Sequence, residues 1–180
     1  DSYAKSKVHL DAGAKRVVIS APVKDNPEES GVTGATVLMG LNEGILKTCQ
    51  ISSNASCTTN SASTVIAILD EAIGIQKALL NTVHGYTATQ RLVDAPSKKD
   101  FRYGRAAAQN IIPSSTGAAV AVTQVATQLK DKFDGIAIRV PVITGSIVDI
   151  TFISKRDTTV QEINDALKEA AKQHRWKNVF

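Results

Sequence analysis

Apolar and polar positions follow two periods along this chain, and the changes of period mark its elements. Helix-forming residues run from Ser2 to Leu10 and stop before Gly13, a good C-cap. Arg16 to Ser20 holds Val17, Val18 and Ile19 in succession, which predicts a short buried parallel strand. Asp25 to Gly34 contains Pro27, Gly31 and Gly34 and reads as a loop. Ala35 to Met39 and Cys49 to Ser53 read as further strands. From Thr58 the period becomes helical: Val65, Ile66, Leu69, Ala72 and Ile73 share a face that ends at Gly74. Ala78 to Val83 is another strand, with His84 at its end. Gly85 to Gly104 is polar and without a period, a length that in compact domains is usually functional or disordered. A helix resumes from Thr116 to Leu129. Gly135 to Val142 and Ser146 to Ser154 read as two strands paired antiparallel around Thr144-Gly145. Thr159 and Glu162 form a capping box for a last helix, Thr159 to Ala171, with Val160, Ile163, Leu167 and Ala170 on its apolar face.

The order is βαβ-like early and strand-rich later. It predicts an α/β fold class: the end of a doubly wound parallel sheet joined near Cys57 to an α+β domain with a largely antiparallel sheet. Composition agrees. Hydrophobic residues make up 43% of the 180 residues but aromatics only 4%, so Val, Ile, Leu and Ala must build the core. No apolar run approaches the roughly 20 residues that span a bilayer. The start, Asp1-Ser2-Tyr3-Ala4-Lys5, reads as that of a fragment or a processed chain. A net charge of +4 is too small to imply nucleic acid and suits small anionic ligands. Two cysteines, Cys49 and Cys57, suggest a reducing compartment.

Four groups of residues carry candidate chemistry. Cys57 lies where a polar turn meets a helix start, a placement that favours a thiolate. His84, returned by the next strand, can serve it as base or cation. The same spacing also accommodates a structural histidine and an inert thiol, and Cys49 reads as a buried apolar residue. Hydroxyls and free N–H groups gather at turns: Ser56, Thr58, Thr87, Ser114, Ser115, Thr116 and Gly117. They suit an anion, although each turn taken singly is ordinary capping. Arg139 sits in an apolar strand, where a guanidinium needs either a phosphate or an ion pair, for which Asp149 is a candidate. Finally, residues 91–105 carry a net charge of +3, either a solvated face or the wall of a groove for a phosphorylated ligand.

Taken with their neighbours, these residues resemble a known family. Ser53-Asn54-Ala55-Ser56-Cys57-Thr58-Thr59-Asn60, His84-Gly85-Tyr86-Thr87-Ala88-Thr89-Gln90, Ile111-Ile112-Pro113-Ser114-Ser115-Thr116-Gly117-Ala118-Ala119 and Arg139-Val140-Pro141 occur in the order and spacing of the phosphorylating glyceraldehyde-3-phosphate dehydrogenases. Leu10 to Arg16 and Ile19 to Pro22 match as well. The resemblance implies that residues 1–56 end a Rossmann-type NAD-binding domain and that 57–180 form a truncated catalytic domain. It implies that Cys57 attacks the aldehyde and that His84 assists as base. Thr87 and Arg139 would hold the substrate's phosphate, and Ser56, Thr58, Thr116 and Gly117 the attacking inorganic phosphate. Ser20 would lie near the nicotinamide. Residues 86–109 would form a loop packed near a neighbouring subunit's cofactor. A cytoplasmic homotetramer using NAD is implied; Pro96 leans toward NAD, and NADP stays open.

There are departures. The G-x-G-x-x-G of the dinucleotide site would precede this sequence, and a nicotinamide-contacting Asn would follow it, so the chain alone is expected to have weak or no dehydrogenase activity. Position 61 is Ser where many relatives have a second Cys, and position 120 is Val where Lys is common. Residues 25–40 are longer than usual. Three other readings stand beside the leading one: an erythrose-4-phosphate dehydrogenase-like enzyme, a Cys–His thiol esterase, and a binding module acting through the basic segment.

Overall fold

The computed structural model describes residues 1–180, apart from the side chains of residues 124 and 125. Its first third is a three-stranded parallel sheet of order β1-β3-β2, with β1 at Val17–Ile19, β2 at Gly34–Thr36 and β3 at Ile51–Ser53. Helix α1, Tyr3–Asp11, precedes it; the Ser2 side chain caps α1 by accepting from the Lys5 N–H. The central strand β3 is buried throughout, as expected for parallel pairing on both sides. The edge strand β1 differs from the sequence expectation: Ile19 is buried, but Val18 is 72% exposed. An edge strand covered on one face buries alternate residues only, even when its residues are all apolar.

The predicted loop after β1 is tied down. The Asp25 carboxylate accepts from the Tyr3 and Ala4 N–H groups, at 2.8 and 3.0 Å. These donors belong to the first turn of α1, where the helix leaves its N–H groups free. Part of the long 25–40 segment thus acts as a second cap on α1, and residues Pro27–Ser30 within it form a 3-10 turn.

Helix α2, Cys57–Ile73, links the two sheets. The second sheet has order β5-β6-β4-β7, with β4 at Ile75–Gly85, β5 at Ile112–Ser115, β6 at Phe133–Val140 and β7 at Ser146–Ser154. Two of its three pairings are antiparallel and β4–β6 is parallel, so the sheet is largely antiparallel as expected. The pairing of the last two strands is not as expected. β6 and β7 are not neighbours, because β4 lies between them. Residues 141–145 cross the end of β4 instead of turning back tightly, and the Gly85 N–H donates to the Gly145 carbonyl at 3.0 Å. Two strand spacings amount to roughly 9.6 Å, which five residues span easily. Strand β5 was not expected either. It is a four-residue edge strand containing Pro113, a residue that edge positions tolerate.

The core lies between this sheet and the helices. Ala62, Ile66 and Leu69 of α2 pack on Ile75, Ala78, Leu80 and Phe133, with Ala118, Ala119 and Val122 of α3 (Ala118–Val125) closing one side. Helix α4, Val160–Lys172, covers α2 through Ile163, Leu167 and Ala170. Beyond it Trp176, 1% exposed, packs with Ala67, Ile68 and Ala170. No described helix is long and apolar enough to cross a membrane.

Candidate active site

Cys57 is presented by a strand-to-helix elbow. After β3 the chain passes through Asn54, Ala55 and Ser56 before α2 begins at Cys57. Ala55 has φ 56°, left-handed backbone that costs a non-glycine residue roughly 1–2 kcal/mol. Its neighbours enforce that geometry. Ser53 Oγ accepts from the Ala55 N–H at 3.1 Å and donates to the Ala21 carbonyl at 2.7 Å. The Asn60 amide donates to the carbonyls of Asn54 and Ser56, at 2.7 and 2.9 Å. Ser56 Oγ caps the helix by accepting from the Thr59 N–H at 3.0 Å. The run of small polar residues therefore builds the turn, and the turn leaves Cys57 exposed at the positive end of a 17-residue helix.

His84 and Arg139 arrive by register. Directly opposed residues share a face of a sheet, and His84 is opposite Arg139 as Thr82 is opposite Ala137. This is the face on which Ala78 and Leu80 are buried, so the two polar side chains extend the core face toward α2. His84 Nε2 lies 3.5 Å from Cys57 Sγ. Arg139 Nη1 lies 2.7 Å from His84 Nδ1 and donates to the Gly85 carbonyl at 3.0 Å. Burial holds Arg139 below the ordinary guanidinium range, and the nearby Cys57 sulfur opposes that shift. Asp149, weighed above as its ion-pair partner, stands opposite Asn81 on β7 and makes no ion pair with Arg139 among the described residues. The Arg139 Nε is buried without a partner among the described residues, which leaves part of the fork free for an acceptor.

These groups share a cleft of about 450 Å³. Of the residues singled out in the sequence, the cleft wall brings together Ser56, Cys57, Thr58, His84, Ser115, Thr116, Gly117 and Arg139. Two stand apart. Thr87 is exposed beyond β4, and both its N–H and its hydroxyl donate to Gln90 Oε1, at 3.1 and 3.3 Å. Ser20 is exposed just past β1 and is not part of the wall. Thr116 Oγ1 accepts from the Ala118 N–H at 3.1 Å, so the turn before α3 is already partly capped. The sequence reading missed Lys24, Thr82 and Tyr103. Lys24 lines the cleft just beyond the matched Ala21-Pro22 pair and adds a cation. Thr82 is buried, and its hydroxyl has no partner among the described residues. The hydroxyl of Tyr103 lies 3.0 Å from Ser114 Oγ, a hydrogen bond that holds the phenol below its usual range. A wider hollow of about 800 Å³ beside Lys77, Lys132 and Ile153 has neither cysteine nor histidine in its lining. Volume alone does not locate the chemistry.

The basic segment after β4 is partly neutralised. Arg102 pairs with Asp100 and Arg105 with Asp94, at 2.6 and 2.9 Å. The residues present also fit one end of a dinucleotide. Pro22, Val23 and Lys24 beyond β1 and Thr36 at the end of β2 line the cleft. The carboxyl ends of parallel strands are where such ligands bind in open α/β sheets.

A parallel sheet that feeds a cysteine-bearing helix, and a mixed sheet that returns a histidine to it, define the class: an α/β catalytic domain with a cysteine–histidine pair. Residues 56–180 match the model of the glyceraldehyde 3-phosphate dehydrogenase C-terminal domain, and the chain belongs to that family. It is 49% identical over 167 residues to glyceraldehyde-3-phosphate dehydrogenase B of Aspergillus oryzae, an alignment covering 93% of this chain and 48% of that protein. It is 50% identical over 173 residues to glyceraldehyde-3-phosphate dehydrogenase 1 of Trichormus variabilis, covering 95% of this chain and 49% of the relative. Its identity to the glyceraldehyde-3-phosphate dehydrogenase of Mycobacterium tuberculosis is 49% over 169 residues, 93% of this chain and 48% of the relative. The chain thus spans about half the length of the curated relatives it matches.

Proposed function

We propose that the whole protein oxidises D-glyceraldehyde 3-phosphate to 1,3-bisphosphoglycerate with NAD and inorganic phosphate, and that this chain carries the covalent half of the reaction. The observation that carries the reading is the 3.5 Å approach of Cys57 Sγ to His84 Nε2 in a cleft that also holds Arg139 and the Thr116-Gly117 turn. The Cys57 thiol passes its proton to His84 and attacks the aldehyde carbon as a thiolate. The C–S bond forms as the carbonyl π bond breaks, and His84 returns the proton to that oxygen to give a hemithioacetal. His84 takes the proton of the hemithioacetal hydroxyl as the C–H bond is given up. The chemistry supplied by a bound nicotinamide is acceptance of the hydride. The thioester left on Cys57 is attacked by inorganic phosphate, the C–S bond breaks, and the thiolate is restored. Arg139 holds the substrate's phosphate, and Ser56, Thr58, Thr116 and Gly117 hold the attacking phosphate. Lys24 and Thr36, which line the same cleft, would receive the nicotinamide end.

The test is steady-state turnover of the whole protein. Cys57→Ser should abolish it. His84→Gln should lower kcat by roughly 10²–10⁴, the range of a positioned general base. Turnover should require inorganic phosphate; release of the free acid without phosphate would overturn the phosphorylating reading in favour of the erythrose-4-phosphate dehydrogenase-like one. We also propose a homotetramer. Leu79, Ile136, Ile147 and Ile153 lie exposed on the sheet face opposite His84, an apolar surface suited to a second copy.

A further inference from the structure

We propose that Tyr103 is a positioning residue for phosphate: its hydroxyl, acting through Ser114, holds the Thr116-Gly117 turn in the shape that receives the attacking anion. The proposal rests on the reading that this turn binds inorganic phosphate. Tyr103 belongs to the 3-10 turn Phe101–Gly104, inside the basic segment, which the catalytic reading leaves without a task. Its phenol oxygen lies 3.0 Å from Ser114 Oγ, and Ser114 Oγ reaches the Ser115 carbonyl at 3.4 Å. A trans peptide points its carbonyl and its N–H in opposite directions. A hold on the Ser115 carbonyl is therefore a hold on the direction of the Thr116 N–H.

The phenol can transmit position because its own base is fixed. The Arg91 N–H donates to the Tyr103 carbonyl at 2.8 Å, and the Ala95 N–H to the Gly104 carbonyl at 2.9 Å. Asp100 caps the 3-10 turn by accepting from the Arg102 N–H at 2.9 Å. The receiving turn has less of its own. The Thr116 and Gly117 N–H groups have no acceptor among the described residues. From the α3 side the turn is tied by the Thr116 hydroxyl, which accepts from the Ala118 N–H, and by the Gly117 carbonyl, which accepts from the Ala121 N–H. From the β5 side the side-chain tie is Tyr103 to Ser114. Unpaired N–H groups bind an anion best when the backbone that carries them is held in advance.

The phenol also sets a titratable group beside the turn. The Ser114 hydroxyl first, then the Ser115 hydroxyl and N–H, hold Tyr103 below its usual value of 10.0. The charged groups around it are Asp100 and Arg102 of its own turn and Arg139 of β6. The rest of the loop adds Arg91 and the Arg105–Asp94 ion pair, and the β5 residues that meet the phenol, Ser114 and Ser115, carry no charge. Protonated, the phenol is a neutral prop. Ionised, it puts a negative charge next to an anion site. Phosphate affinity should therefore fall as pH rises through the Tyr103 value, earlier than an ordinary tyrosine would bring it about.

The test is Tyr103→Phe in the whole protein, which keeps the ring and removes the hydroxyl. The KM for inorganic phosphate should rise roughly 3- to 10-fold, the worth of one neutral hydrogen bond. The burst of NADH on mixing with glyceraldehyde 3-phosphate and NAD without phosphate reports the Cys57–His84 half and should keep its rate. Ser114→Ala should raise the same KM, and the double variant should add little, because the two groups form one contact. In the unmodified protein the phosphate KM should climb at alkaline pH, and Tyr103→Phe should flatten that limb. A phosphate KM unchanged in Tyr103→Phe would overturn the proposal by making the hydroxyl idle. A KM that rises only together with a slowed burst would overturn it by making the hydroxyl merely structural. Fully additive Tyr103 and Ser114 effects, or an alkaline limb that persists in Tyr103→Phe, would overturn it as well. Turnover that needs no phosphate would remove the reading beneath the proposal; that result is read in the unmodified protein, so the two failures are distinct.

Discussion

At the residue scale, the molecule separates its two thiols by placement. Cys57 is exposed at the start of α2, whereas Cys49 is buried and its thiol is pushed up, chiefly by burial. Iodoacetamide should therefore label Cys57 at least ~10-fold faster than Cys49 near neutral pH, measured by peptide mass spectrometry. His84→Ala should slow Cys57 labelling and leave Cys49 unchanged. An equal rate at the two cysteines would remove the activated thiol from the account. Gly85 is a second residue with a defined cost. A Cβ there would lie 2.8 Å from the Val142 carbonyl oxygen, in the crossing that carries the chain over the end of β4. Gly85→Ala should destabilise the fold by roughly 1–3 kcal/mol in a denaturant titration, because neither backbone segment can yield easily.

At the element scale, caps decide where the functional helices begin. Ser56 fixes the first turn of α2, and Ser56→Ala should cost about 1 kcal/mol of stability by the same titration. It should also blur the position of Cys57 and lower its labelling rate. Asp25 does comparable work for α1 from outside the helix. The Ala4 N–H, then the Tyr3 N–H, hold its carboxyl below the ordinary value near 3.8. A carboxylate depressed in the folded state stabilises above its unfolded pKa, and that contribution is lost as pH falls through the folded value. Acid unfolding followed by circular dichroism should therefore start at higher pH than in Asp25→Asn, measured as a difference from each protein's own stability at pH 7. A parallel pair of curves would show that Asp25 contributes no pH dependence. Much at this scale was legible in the sequence. The Thr159 cap and the Gly74 stop bound real helices because caps and glycines act locally, although the Glu162 carboxylate accepts from Arg156 and Thr158 and does not close the box. β5 was not legible, since Ile112-Pro113-Ser114-Ser115 has neither alternation nor length and becomes a strand only beside β6.

At the scale of the whole molecule, the two sheets are joined by α2 and by the packing around Trp176. A Cβ at Gly40, between β2 and β3, would lie 2.8 Å from the Trp176 ring, and Arg175 stacks over that ring at 4.2 Å while its Nε donates to the Gly40 carbonyl at 2.5 Å. Trp176→Ala should cost roughly 3–5 kcal/mol and lower the thermal midpoint. A loss below about 1 kcal/mol would show that this end of the chain carries little of the fold.

The sequence by itself determined the chemistry on offer: a cysteine at a helix start, a histidine at a strand end, a guanidinium in an apolar strand, and hydroxyl-rich turns. Those depend on residue type and on signals a few residues long, such as caps, periods and glycine stops. Only the tertiary structure decided which of them meet. The order β5-β6-β4-β7 put Arg139 beside His84 and sent Asp149 to the far side of β4. It also left Thr87 on Gln90 and brought Lys24 and Thr82 to the cleft. The reason is physical. Strand order is set by long-range pairing and by which face each strand buries, and a five-residue connection fits a crossing over β4 as well as a turn.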